Sequence, residues 1–154
     1  MEKNRGWFWN ILAIITVIIC LFTFVLHFKN WTSTDSEGFR VVSGFYYQKI
    51  KYSELDSVIM EERIPPMERL NGFSALEKEK GVFREFKDSL TDKKVYVFAD
   101  NIEHSKIKLV HHDSIKLFVN LKDSLETDQL FQLLSSKIPV EPNWWPRPRF
   151  SILK

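Results

Sequence analysis

The sequence predicts a mainly β domain of seven antiparallel strands, closed by one C-terminal helix and preceded by one transmembrane helix. Three observations carry that expectation. The run "WFWNILAIITVIICLFTFVLHF", Trp7 to Phe28, contains no Asp, Glu, Lys or Arg. Beyond residue 38 the chain breaks into short apolar, β-rich runs separated by turn residues. From Ser124 the apolar spacing then changes from every second residue to a helical stripe.

As a helix the first run extends about 33 Å, enough for a hydrocarbon core of about 30 Å. Thr16 and Thr23 are tolerable there, because helical hydroxyls bond back to the backbone. Trp7, Trp9 and Trp31 flank the run where amphipathic rings favour the membrane–water interface. A soluble core helix would keep a polar face, and this one has none. A cleaved signal peptide would have a shorter apolar core and a small-residue cleavage motif, which "LHFKNWTS" lacks. The expectation is an uncleaved single-pass anchor in the cell membrane. Lys3 and Arg5 before it, against Lys29 after it, point the amino terminus to the cytoplasm and the domain outside.

Residues 1–6 form an N-terminal tail, 7–28 the anchor, and 29–38 ("KNWTSTDSEG") a polar linker too short of apolar residues to bury a core. Phe39–Ser43 and Phe45–Ile50 read as two strands joined tightly at Ser43-Gly44. Ser57–Glu62 is a third, stopped by "IPP", since proline donates nothing to a ladder. Val82–Phe86 is the fourth. "KKVYVFAD", ending at Asp100, is the fifth and is apolar on both faces. Lys106–Val110 and Ile115–Leu121 are the sixth and seventh. In the last, Ile115, Leu117, Val119 and Leu121 share one face. Leu130, Phe131, Leu134 and Ile138 form the stripe of the following helix. Asp123 and Glu126 cap its start and Pro139 ends it. Such a helix lying across an open sheet end would cover it.

The phrase "KIKYSELDSVIMEE", Lys49 to Glu62, resembles the bacterial pleckstrin-homology-like families, as do "RLNGF", "GVF" and "IKLFVNLKDSLETDQLFQLL" in their order. The resemblance covers residues 39–138 and implies a seven-stranded antiparallel barrel or sandwich capped by the helix. It also implies membrane proteins without a defined activity. The stretch "RLNGFSALEKEKGVF", Arg69–Phe83, then reads as a shaped loop between the third and fourth strands, with a helical turn or two in "SALEKEK".

Composition excludes several classes. The chain has 22 basic and 20 acidic residues, and after residue 28 the counts are 20 and 19, too even for a nucleic-acid binder. The single cysteine, Cys20, allows neither an intrachain disulfide nor a cysteine-based zinc site. Ser43-Gly44 leaves no roomy loop for a phosphoinositide. The glycines of Arg69–Phe83 lack P-loop spacing, and between Glu61 and Phe86 five basic residues face six acidic ones. His111-His112-Asp113, near His104 and Glu103, is the one metal-like run, but neighbours on a strand point to opposite faces. No catalytic residues, metal or cofactor are expected.

The tail 139–154, "PVEPNWWPRPRFSILK", has four prolines and is not helical. Trp144, Trp145, Arg147, Arg149 and Phe150 suit a lipid headgroup layer or an aromatic-binding partner, and the rings suit equally well a fold back over the domain. The expected function is a non-enzymatic interaction module, tethered to the bilayer, that offers a sheet edge or helix groove to a protein partner. The alternative is a lipid-surface sensor working through the tail, with an uncharacterised enzyme as the residual reading.

Overall fold

The structure, a computed structural model, describes residues 3–86, 94–112 and 114–138, with side chains from Gly6 onward. Helix α1 (Lys3–Phe28) contains the expected apolar run. Residues Gly6–Phe28 are long and apolar enough to span a membrane, with a mean hydropathy of 2.8, and their most apolar stretch is entirely unburied. Thr16 and Thr23 donate to the carbonyls of Leu12 and Ile19 at 2.9 and 2.8 Å, so neither hydroxyl is left open to lipid.

Among the described residues nine strands follow, not the expected seven. They are β1 (Trp31–Thr34), β2 (Gly38–Ser43), β3 (Tyr46–Lys51), β4 (Leu55–Glu61) and β5 (Met67–Ala75). After them come β6 (Lys78–Glu85), β7 (Lys94–Ala99), β8 (Lys106–His111), β9 (Ile115–Asn120) and finally helix α2 (Ser124–Ser135). They form a three-stranded sheet, β1-β2-β3, and a six-stranded sheet, β4-β8-β9-β7-β6-β5. Among the described residues the two sheets do not close into a barrel, which corrects the seven-stranded expectation.

The two extra strands arise where the sequence reads as connection. β1 lies in the expected linker and pairs with β2, from Trp31 opposite Val42 to Thr34 opposite Phe39. β5 occupies the expected loop and pairs with β6 along its length, including Gly72 opposite Gly81. A Cβ on Gly72 would stand 2.3 Å from the Lys80 carbonyl oxygen, and its φ of 140° is one L-residues avoid. These glycines let two backbones close on each other; they shape a hairpin rather than a ligand loop.

The sheet is also not wholly antiparallel. β9 sits between β7 and β8 and runs parallel to β7. β7 lies between β9 and β6 and is apolar on both faces. Tyr96 and Phe98 face one core while Val95, Val97 and Ala99 face another, so β7 belongs inside the sheet with a neighbour on each side.

The main core fills the space between the sheets and α2. Phe39, Val41 and Ile50 from the small sheet meet Phe98, Ile107, Leu109, Leu117 and Val119 from the large one, with Leu130 and Leu134 from the helix. Asp123 caps α2 by accepting from the Leu125 N–H at 2.9 Å. The helix packs on β4 and β8 and covers that end of the large sheet. The opposite end, at β5, has β6 as its sole paired neighbour.

Candidate functional site

The last turn of α1 ends against the β domain. Its terminal carbonyls would be orphaned in an isolated helix. Here the Gly44 N–H donates to the Leu26 carbonyl at 3.2 Å, and the Lys78 ammonium donates to the Phe28 carbonyl at 2.5 Å. A cation at this helix end also opposes the negative pole of its dipole. His27 lies between Phe45 (ring centroids 4.7 Å) and Phe73 (5.3 Å). Gly44, at φ 61° in the two-residue loop joining β2 and β3, leaves the space that the imidazole fills; a Cβ there would come within 2.7 Å of Nε2. The anchor is therefore capped and wedged by the domain that follows it.

Below this contact lies a buried polar cluster centred on Asn30, Asp100 and Asn120. The Asn30 N–H donates to Asp100 Oδ2 at 2.6 Å, and its amide donates to the carbonyls of Phe98 and Asn120 at 2.6 and 2.8 Å. Ser43 Oγ donates to Asn30 Oδ1 at 2.6 Å, so every polar atom of this amide is engaged. Asn120 Oδ1 accepts from the Asp100 and Asn101 N–H groups, while its amide donates to the Asn101 carbonyl at 2.5 Å. Lys80 Nζ stands 2.8 Å from Asp100 Oδ1 with both side chains fully enclosed. The contact is ionic without the angle of a hydrogen bond. Burial pushes the Lys80 ammonium below its ordinary pKa, and Asp100 opposes that shift. Lys106 is likewise depressed by burial and donates to the carbonyls of Glu62 and Ile102.

Around the cluster, three lysines distant in sequence converge on the end of α1. Lys29 lies over the Trp31 ring at 4.3 Å, and Lys78 and Lys122 lie over the Phe28 ring at 5.2 and 5.5 Å. Beside them runs an apolar groove of about 450 Å³ lined by Phe24, Val25, Phe28, Lys29 and Trp31. A polar cleft of about 150 Å³ adjoins it, with Lys29, Trp31, Asp100, Lys122 and Glu126 among its walls.

Of the expected interface residues, Trp7 and Trp9 are exposed near the start of α1, and Trp31 is half-exposed in the groove. Trp144, Trp145, Arg147, Arg149 and Phe150 lie outside the described residues. The histidine run splits because β8 ends at His111 and His112 begins a turn at φ 46°, with the two ring centroids 5.3 Å apart rather than on opposite strand faces. His111 is buried with both ring nitrogens unpartnered, whereas exposed His112 lies 3.4 Å from a Glu54 oxygen. Among the described residues no three His, Cys, Asp or Glu side chains gather as a metal site would require. Sequence reasoning missed Asn30, Lys78, Asp100, Asn120 and Lys122, whose roles depend on contacts across tens of residues. Asp100 at the end of an apolar strand was the one local signal. No family model, curated protein or solved structure matches this chain.

Proposed function

We propose that this protein is a single-pass, membrane-anchored, non-enzymatic interaction module that offers its open sheet edges at β5 and β3 to an extended segment of a protein partner. The observation that carries this is the unpaired edge of β5. That strand has nine residues, pairs among the described residues only with β6, and is largely exposed. β3 is an edge strand of the small sheet. Side chains connect the two edges: Tyr46 Oη donates to Asn71 Oδ1 at 3.3 Å, and His27 spans Phe45 and Phe73. Phe45, Tyr47 and Leu70 are exposed at 74%, 55% and 48%, more apolar surface than an idle edge needs.

Half of β5 is blunted. Its register slips between Arg69 and Asn71, and Glu68 and Arg69 carry charge there. Bulges and charges protect edges from stray pairing. Asn71–Ala75 has no charge, so this half suits strand addition, in which main-chain bonds give affinity and alternate side chains give selectivity. The non-enzymatic reading is supported by the engagement of the buried charges Lys80, Asp100 and Lys106 in internal contacts. Kinship with the pleckstrin-homology-like families belongs to this proposal through the order of "KIKYSELDSVIMEE", "RLNGF", "GVF" and "IKLFVNLKDSLETDQLFQLL" along the chain. The parallel β7/β9 pair departs from their pattern.

Photoreactive residues placed at Tyr47, Leu70 and Ser74 of the full chain in its native membrane test the proposal. Adducts of one defined mass at these positions, absent from Leu125 and Leu133 on α2, are expected. Equal labelling of both sets would refute the edge. Single cysteines at Ser36 and Ser124 then report the side of the membrane, which the proposal places outside the cytoplasm.

A further inference from the structure

We propose that the neck, where the end of α1 meets the β domain, holds one anionic phospholipid, its phosphate between Lys29 and Lys122 and an acyl chain along the groove of Phe24, Val25, Phe28 and Trp31. The inference rests on α1 spanning a bilayer. Given that, the apolar groove lies at the end of the hydrocarbon layer and the lysines lie where phosphates do.

Charge complementarity selects the ligand. Lys29 and Lys122 are exposed, and neither has a carboxylate partner among the described residues. Lys78, by contrast, is engaged at the Phe28 carbonyl and belongs to the helix cap. Two carboxylates border the cleft. Asp100 is already neutralised by Lys80 and bonded by the Asn30 N–H, so it presents little free charge. Glu126 alone opposes an anion there. The two free ammonium groups thus meet an apolar channel, a pairing that fits a lipid and not a soluble phosphate, which would leave the groove unfilled.

A second feature turns the same end of the domain toward lipid. Leu76, at the tip of the β5–β6 hairpin two residues before Lys78, is 98% exposed and holds a φ of 54°. A branched side chain at positive φ is strained, and its exposure to water adds nothing favourable. Contact with acyl chains gives that leucine a favourable environment.

The test uses the full chain in vesicles of phosphatidylcholine with phosphatidylglycerol, one or the other brominated to quench tryptophan. In a variant keeping only Trp31 (Trp7, Trp9, Trp144 and Trp145 each changed to Phe), brominated phosphatidylglycerol should quench more strongly than brominated phosphatidylcholine at equal fraction. Each lysine should contribute about a fivefold preference. Lys29→Gln with Lys122→Gln should abolish the preference, Glu126→Gln should increase it, and high salt should reduce it. A Trp7-only variant reports the other end of α1 and should show no such dependence on these lysines. Equal quenching of Trp31 by both lipids overturns the lipid site while leaving the span intact. No quenching of either tryptophan by either lipid overturns the span, and the site with it.

Discussion

The neck and the β5 edge lie a few residues apart in space yet are built on opposite principles. At the neck, Asn30, Asp100 and Asn120 are buried and linked by charge-assisted and amide hydrogen bonds, and Lys80 is enclosed against Asp100. At the edge, Leu70 is exposed, the ladder slips, and the Tyr46 side chain reaches Asn71 from the nearest sheet. A buried network in which every polar atom of the Asn30 amide is engaged and Lys80 is held against Asp100 favours one geometry, because other arrangements leave more groups unpaired. An unpaired edge leaves its bonding groups for something else. Under the proposed function, the neck sets position and the edge carries recognition.

Breaking the neck should have the largest effect. Asp100→Ala strands Lys80 in an apolar enclosure and removes the Asn30 contact, so a loss of about 3–5 kcal/mol is expected in denaturant unfolding of the detergent-solubilised chain. A loss below about 1 kcal/mol would show that the network contributes little. Asn30→Ala, which unpairs Ser43 Oγ and two carbonyls, should cost about 2 kcal/mol by the same measurement.

The edge should respond differently. Leu76→Gly relieves a positive φ at an exposed tip and should leave stability unchanged or raise it by about 1 kcal/mol. The same change should weaken lipid contact measured by quenching. A clear destabilisation would mean that Leu76 packs on the domain.

The smallest effect is confined to acid. Burial, with His112 beside it, holds the His111 imidazole below the ordinary histidine value of 6.5. The unfolded chain therefore binds that proton more readily than the folded one. Stability should be full above about 6.5 and should fall as pH drops from there towards the folded value. His111→Phe should flatten this part of the profile, and an unchanged slope would assign it to other groups.

These contrasts also explain what the sequence made legible. The long apolar helix is plain because 22 residues carry no Asp, Glu, Lys or Arg, and α2 because Asp123, Glu126 and the Leu130–Leu134 stripe agree. Strands with two-residue periodicity, such as β9, are equally plain. β1 is not, since "WTST" has no apolar alternation and is a strand only because β2 offers it a ladder. β5 hides behind Gly72 and a bulge, each of which weakens the local signal of a strand. The parallel placement of β9 is not legible, because the two-faced burial of β7 suggests a central strand without naming its neighbours. Of the neck, Trp31 was anticipated as an interfacial ring. The convergence of Lys29, Lys78 and Lys122 on α1 depends on the folded chain alone.

The central claim is that the domain is fixed to its anchor, so that the β5 edge stands at a set place beside the membrane. Spin labels at Val17 and Glu62, with Cys20 changed to Ser, would measure this in full-length protein in liposomes. A single narrow distance distribution is predicted, broadening in Asn30→Ala. A broad distribution in the otherwise unchanged chain would contradict the account.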